Sequence, residues 1–169
     1  MNKTRILAFV ALFLLFLLQN ASSIIFSQKP PSFVLIGVIF YALKEGPNFG
    51  FVIGCVSGLL LEIFGVGQLG FEVLILGLVG YGSGFVALKI FGDSLLTEII
   101  LPALAAYVTI FFNLLIIKIS FRESLSLGLF VEAFLFQSIL LTAFLSPLVF
   151  FGLKKITFKH LPRRKNPSW

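Results

Sequence analysis

Apolar runs of 12 or more residues follow one another along this chain, separated by short polar or glycine–proline interruptions. The runs occupy about 6–26, 32–45, 49–64, 71–90, 95–119 and 125–153. A helix needs about 20 predominantly apolar residues to cross the hydrocarbon of a bilayer, and most of these runs approach or exceed that length. The breaks are Lys29-Pro30-Pro31, Gly46-Pro47-Asn48, Gly65 to Gly70, the polar stretch Lys89 to Glu98, and Arg122-Glu123. The second run is short for a full crossing unless it extends to Lys44 and Glu45 with their side chains snorkelling. Pro102 lies inside the fifth run, where a kink is expected, and the sixth run, with Pro147 near its end, is long enough to tilt. The first run begins like a signal peptide, with Lys3 and Arg5 before an apolar stretch and Ala21, Ser22 and Ser23 after it. Ile24, Ile25 and Phe26 extend it to spanning length, so a retained helix is expected. The pattern predicts an all-α polytopic membrane protein, with six transmembrane helices in a compact bundle. It forms one integral membrane domain over 1–169, with a basic tail at 154–169.

Within the third run glycine recurs every fourth residue, at Gly46, Gly50, Gly54 and Gly58, and the fourth run carries Gly77, Gly80, Gly82 and Gly84. That spacing leaves one helix face without side chains, so another backbone can approach closely. Gly50, Gly54, Gly58, Gly80 and Gly84 are therefore the candidate packing residues. Packing within the chain is the default reading, and a docking groove for a partner's transmembrane helix stays open beside it.

Composition agrees with lipid as the solvent: 59% hydrophobic residues, 12% charged and a mean hydropathy of +1.09 lie outside the soluble norm. The net charge of +6 is dispersed at run ends rather than gathered in a patch, which speaks for membrane orientation and against a nucleic-acid partner. Under a six-span topology with both termini inside, the inner bases are Lys3, Arg5, Lys44, Lys89, Lys154, Lys155, Lys159, Arg163, Arg164 and Lys165. The outer ones are Lys29, Lys118 and Arg122. This asymmetry satisfies the positive-inside rule and predicts cytoplasmic termini. The basic tail is expected to fix topology and touch anionic lipid; attraction of an acidic cytoplasmic partner is the second reading.

The chemistry-bearing residues are few. Cys55 is the only cysteine and His160 the only histidine, so no disulfide within the chain can form and a His/Cys metal site would need several carboxylates. No serine has an activating neighbour at a suggestive spacing. Gly80-Tyr81-Gly82-Ser83-Gly84 resembles a phosphate loop only faintly, lacking its lysine and preceding strand. No enzyme, cofactor or metal is expected. Cys55 is expected to pack as a small hydrophobe. Three carboxylates stand out because the topology puts them at similar depth near the outer face: Glu62, Glu72 and Glu132. Ionisable groups in a membrane tend to mark function. Each is either an interfacial carboxylate reaching headgroup water or part of a site for a cation or for a partner's hydrogen-bond donors.

The order of these features resembles the rod shape-determining protein MreD family of bacteria. The closest stretch is Gly50 to Gly84, with Gly58-Leu59-Leu60-Leu61-Glu62, then Leu69-Gly70 and Gly80-Tyr81. In that family an acidic residue, usually aspartate, follows the glycine–leucine run, and here glutamate takes its place. The resemblance covers the chain in layout and about Pro47 to Gly84 in motif. It implies a non-enzymatic component of the peptidoglycan elongation machinery in the inner membrane. The implied direct partner is a bitopic MreC-like protein; the indirect ones are an MreB-like cytoskeleton, a RodA-like glycosyltransferase and a penicillin-binding transpeptidase. It also implies a fold similar to the substrate-binding subunits of energy-coupling-factor transporters, and a small-molecule-binding subunit of that kind is the alternative. Against that alternative, few polar groups besides the glutamates (Gln68, Asn113, Gln137 and Ser138) occupy the outer halves of spans three to six. The first span also lacks the A-x-x-x-A pattern, since Ala8 and Ala11 are three apart. Lipid translocation is a third possibility.

Overall fold

In the computed structural model the chain is described over residues 3–25, 31–64, 70–89, 95–121 and 127–158, with side chains omitted at several helix ends and over 127–138. It is all-helical: α1 (Lys3–Ile25), α2 (Phe33–Glu45), α3 (Pro47–Phe64), α4 (Phe71–Lys89), α5 (Leu95–Phe121) and α6 (Leu127–Phe158). These bounds follow the apolar runs closely, because each run ends where glycine, proline or charge interrupts it. The clearest departure is α6, which continues past Leu153 through Lys154 and Lys155. Among the described residues, two stretches, Pro47–Phe64 and Ile139–Ile156, are long and apolar enough to cross a membrane, and Ile6–Ser22, Phe71–Val86 and Thr97–Asn113 are shorter apolar stretches.

Helix α2 is the hub. Its 13 residues extend only about 20 Å at 1.5 Å per residue, and every residue from Phe33 to Ala42 is buried. A helix that is apolar all round belongs inside protein, and α2 packs against all five other helices. Phe40 meets Phe150 of α6 edge-on, with ring centroids 5.3 Å apart, a geometry that adds to the area both rings bury. Gly37 is turned to α1: a Cβ there would sit 2.6 Å from Leu15 Cδ1 and 2.8 Å from Leu12 Cδ2.

The short hub requires its buried N-terminus to be satisfied from other helices. The first N–H groups of a helix have no partner within it, and neighbouring side chains serve here. Gln19 of α1 accepts from the Val34 amide at 3.1 Å, and Thr142 of α6 accepts from the Ser32 amide at 3.2 Å. At the other end a single residue, Gly46, joins α2 to α3. Its φ of 96° lies in the left-handed region that favours glycine. Its amide donates to Ala42 O at 3.0 Å, its carbonyl accepts from Gly50, and Pro47 starts α3 as the first helical residue, a position proline tolerates.

The surface is apolar too. Phe144, Leu148 and Phe151 of α6 are 81%, 71% and 71% exposed, and Leu14, Leu18, Leu74, Leu78 and Leu104 are also largely exposed. Exposed apolar area of this extent is foreign to a monomer in water.

Candidate functional site

The glycine ladder is a contact between α3 and α4. A Cβ on Gly58 would lie 2.6 Å from Glu72 O and from Val73 Cα, and one on Gly54 2.7 Å from the Leu76 carbonyl carbon. Gly50 and Gly80 face each other, each leaving no room for a Cβ beside the other's carbonyl, and a Cβ on Gly84 would lie 2.6 Å from Pro47 N and Cα. The contacts step by four residues in opposite directions, so the two helices run antiparallel with backbone against backbone over their length. Small residues permit this approach and dispersion rewards it. The face formed by Gly50, Gly54 and Gly58 is thus filled by this chain's own α4. Gly77 belongs to the same seam, where a Cβ would lie 2.7 Å from Cys55 Sγ, so Cys55 packs against α4 as a small apolar group. The Gly80 to Gly84 stretch lies inside α4, where Ser83 Oγ donates to Val79 O at 2.6 Å.

At the far end of this pair, Glu62 answers a local need of the fold. Gly70 caps α4, its carbonyl accepting from Leu74, and its φ of 100° again favours glycine. Glycine has no side chain to hold the orphan amides of the first turn. Glu62 supplies both acceptors from the last turn of α3: Oε2 accepts from Gly70 N at 2.8 Å and Oε1 from Val73 N at 3.1 Å. The carboxylate, 7% exposed, also meets the positive end of the α4 dipole. Its donors are backbone amides at the start of the neighbouring helix.

Glu72 sits in the first turn of α4, half-buried, and accepts from Asn113 Nδ2 of α5 at 2.9 Å. The structure therefore brings Glu62 and Glu72 to one helix N-terminus and ties the second to α5. The side chain of Glu132 lies outside the described residues, as do Gln68, Gln137, Ser138 and the tail residues Lys159, His160, Arg163, Arg164 and Lys165. Among the described residues no three His, Cys, Asp or Glu side chains gather as a metal site would require. On the outer side of the α3–α4 pair, Asn48, Phe51, Val52, Leu78 and Tyr81 line a shallow, largely apolar groove.

A second polar node was not singled out in the sequence. Glu98 falls at the end of the Lys89 to Glu98 polar stretch, yet its side chain is 8% exposed and forms an ion pair with Lys154 of α6. Thr97, Thr142 and Ser146 are buried with it. The available signal was a lone acid four residues before Pro102, with the Lys154-Lys155 pair at the matching end of the last run. Separation by 56 residues conceals such a pair from periodicity.

No protein-family model, no curated protein and no solved structure matches this chain.

Proposed function

We propose that this chain is a six-span protein of the bacterial inner membrane with both termini in the cytoplasm. Its role is that of a non-enzymatic scaffold of the cell-elongation machinery, binding the transmembrane helix of a bitopic MreC-like partner. Through that partner it connects to an MreB-like cytoskeleton, a RodA-like glycosyltransferase and a penicillin-binding transpeptidase.

The observation that carries the reading is the mechanical unity of the segment on which the family resemblance rests. Helices α3 and α4 act as one unit: a glycine seam joins them and the Glu62 carboxylate closes its end. A preorganised helix pair loses little conformational freedom when another helix packs against it. The apolar exterior of α1, α3, α4, α5 and α6 supports embedding in lipid. The short α2 fits a bundle in which one helix is enclosed by the others.

A solute-binding transporter subunit would need polar groups converging on an open cavity. Glu62 and Glu72 are engaged within the chain instead, which weighs against that alternative. Purification of the tagged protein in mild detergent, with identification of what accompanies it, tests the proposal. A bitopic membrane protein with a large external part is expected. Recovery of an ATP-hydrolysing transport module in its place would overturn it.

A further inference from the structure

Prolines interrupt the hydrogen-bond ladders of two adjacent helices, Pro102 in α5 and Pro147 in α6. Proline has no N–H, so each deprives the carbonyl four residues earlier of its helical donor. Those carbonyls are Glu98 O and Ala143 O. In hydrocarbon such groups must be satisfied by a neighbouring side chain. One hydroxyl stands at both: Ser146 Oγ lies 2.6 Å from Glu98 O and 2.9 Å from Ala143 O. Ser146 is 0% exposed, so water does not compete. Farther along α6, Lys154 pairs with the Glu98 carboxylate and tethers the same two helices independently.

A serine hydroxyl carries a single hydrogen, whereas two proline-orphaned acceptors face this one. We infer that Ser146 is a hinge pin with two positions. In the first it donates across the interface to Glu98 O, locking the bend of α5 at Pro102 to that of α6 at Pro147. In the second it donates back to Ala143 O within α6, a bond that serine makes readily in helices and that favours bending, and α5 is free to flex at Pro102. One hydrogen bond replaces another, so the two positions lie close in free energy. The Glu98–Lys154 pair keeps the helices together during the exchange. The segments of α5 and α6 beyond the prolines swing about this node, while α3 and α4, fused backbone to backbone, do not.

Thermal unfolding in detergent tests the pin with four proteins: wild type, Ser146→Ala, Pro102→Ala/Pro147→Ala, and the triple variant. Ser146→Ala is expected to lower Tm by about 2–4 °C in the wild-type background. It is expected to leave Tm unchanged without the prolines, where both carbonyls regain a helical N–H. Equal losses in the two backgrounds would overturn the assignment. The two positions are read by dipolar EPR between nitroxides at Leu104 and Leu140, 59% and 52% exposed, in a Cys55→Ala background. Pro147→Ala satisfies Ala143 O and commits Ser146 to Glu98 O, so the distance distribution narrows. Ser146→Ala withdraws the hydroxyl from Glu98 O while Pro102 stays in place, so α5 is left free to flex and the distribution broadens. These single variants decide the question even if the proline-free protein does not fold. The same change in both, or none in either, would contradict the hinge.

Discussion

The Glu62 carboxylate, in the last turn of α3, accepts the Gly70 amide hydrogen at 2.8 Å, so the capping of α4 is done by the helix before it. Its second oxygen takes Val73 N–H. Glu62→Asp keeps the charge and both acceptors but is one methylene short of the span. Glu62→Gln keeps the length but turns an NH2 toward a backbone donor. Glu62→Leu orphans both amides, at about 1–3 kcal/mol for each buried donor left unmade. Stability in detergent is expected to fall in the order Asp, Gln, Leu. A Leu variant as stable as wild type would show that the cap is dispensable.

Gly54→Leu and Gly58→Leu should separate α3 from α4. The obstacle is α4 backbone, which cannot rotate aside as a side chain can, so the loss should exceed the about 1–3 kcal/mol usual for overpacking. Gly82→Leu and Gly152→Leu are the controls, since a Cβ at either meets nothing within 4 Å. Gly37→Leu should fall between, because its neighbours are the ends of Leu12 and Leu15. Melting temperatures of the five variants check the ranking. Equal losses at Gly54 and Gly82 would remove the seam from the account.

The Glu98–Lys154 pair is more harmful half-removed than absent. Lys154→Met leaves a buried carboxylate without its cation, which typically costs about 3–5 kcal/mol for a fully buried pair and less here, where Lys154 is 29% exposed. Adding Glu98→Gln to Lys154→Met is expected to recover part of the loss. Chemical denaturation of the two variants would show it; a double variant weaker than Lys154→Met alone would contradict the reading.

The proposed topology rests on the distribution of the bases. Reporter fusions after Trp169 should report the cytoplasm, and fusions within Gln28 to Pro31 the outer side, given the Lys and Arg distribution. An external signal from the fusion after Trp169 would exclude six spans.

The sequence discloses much of this molecule and conceals one kind of feature. Helix bounds are legible because Gly46-Pro47 and Lys29-Pro30-Pro31 are breaks of known chemistry. The seam is legible because glycines four apart have no other common purpose in an apolar helix. Which helix fills the seam is not legible, nor is the enclosure of α2, whose apolar run would suit lipid equally well. The partners of the polar side chains are the most concealed. Glu62 meets backbone amides that every sequence has, and Glu98 meets Lys154 only because α5 and α6 pack side by side. A residue's burial and partner depend on the fold, whereas its charge alone suggests a site.

The proposed function, which implies a rod-shaped host, is tested most directly by depleting the protein in that host and measuring the length-to-width ratio of growing cells. The account predicts a fall toward one as rods round up, with the ratio restored by the wild-type protein and poorly restored by Gly54→Leu. Rods of unchanged ratio, in cells shown to be free of the protein, would contradict it.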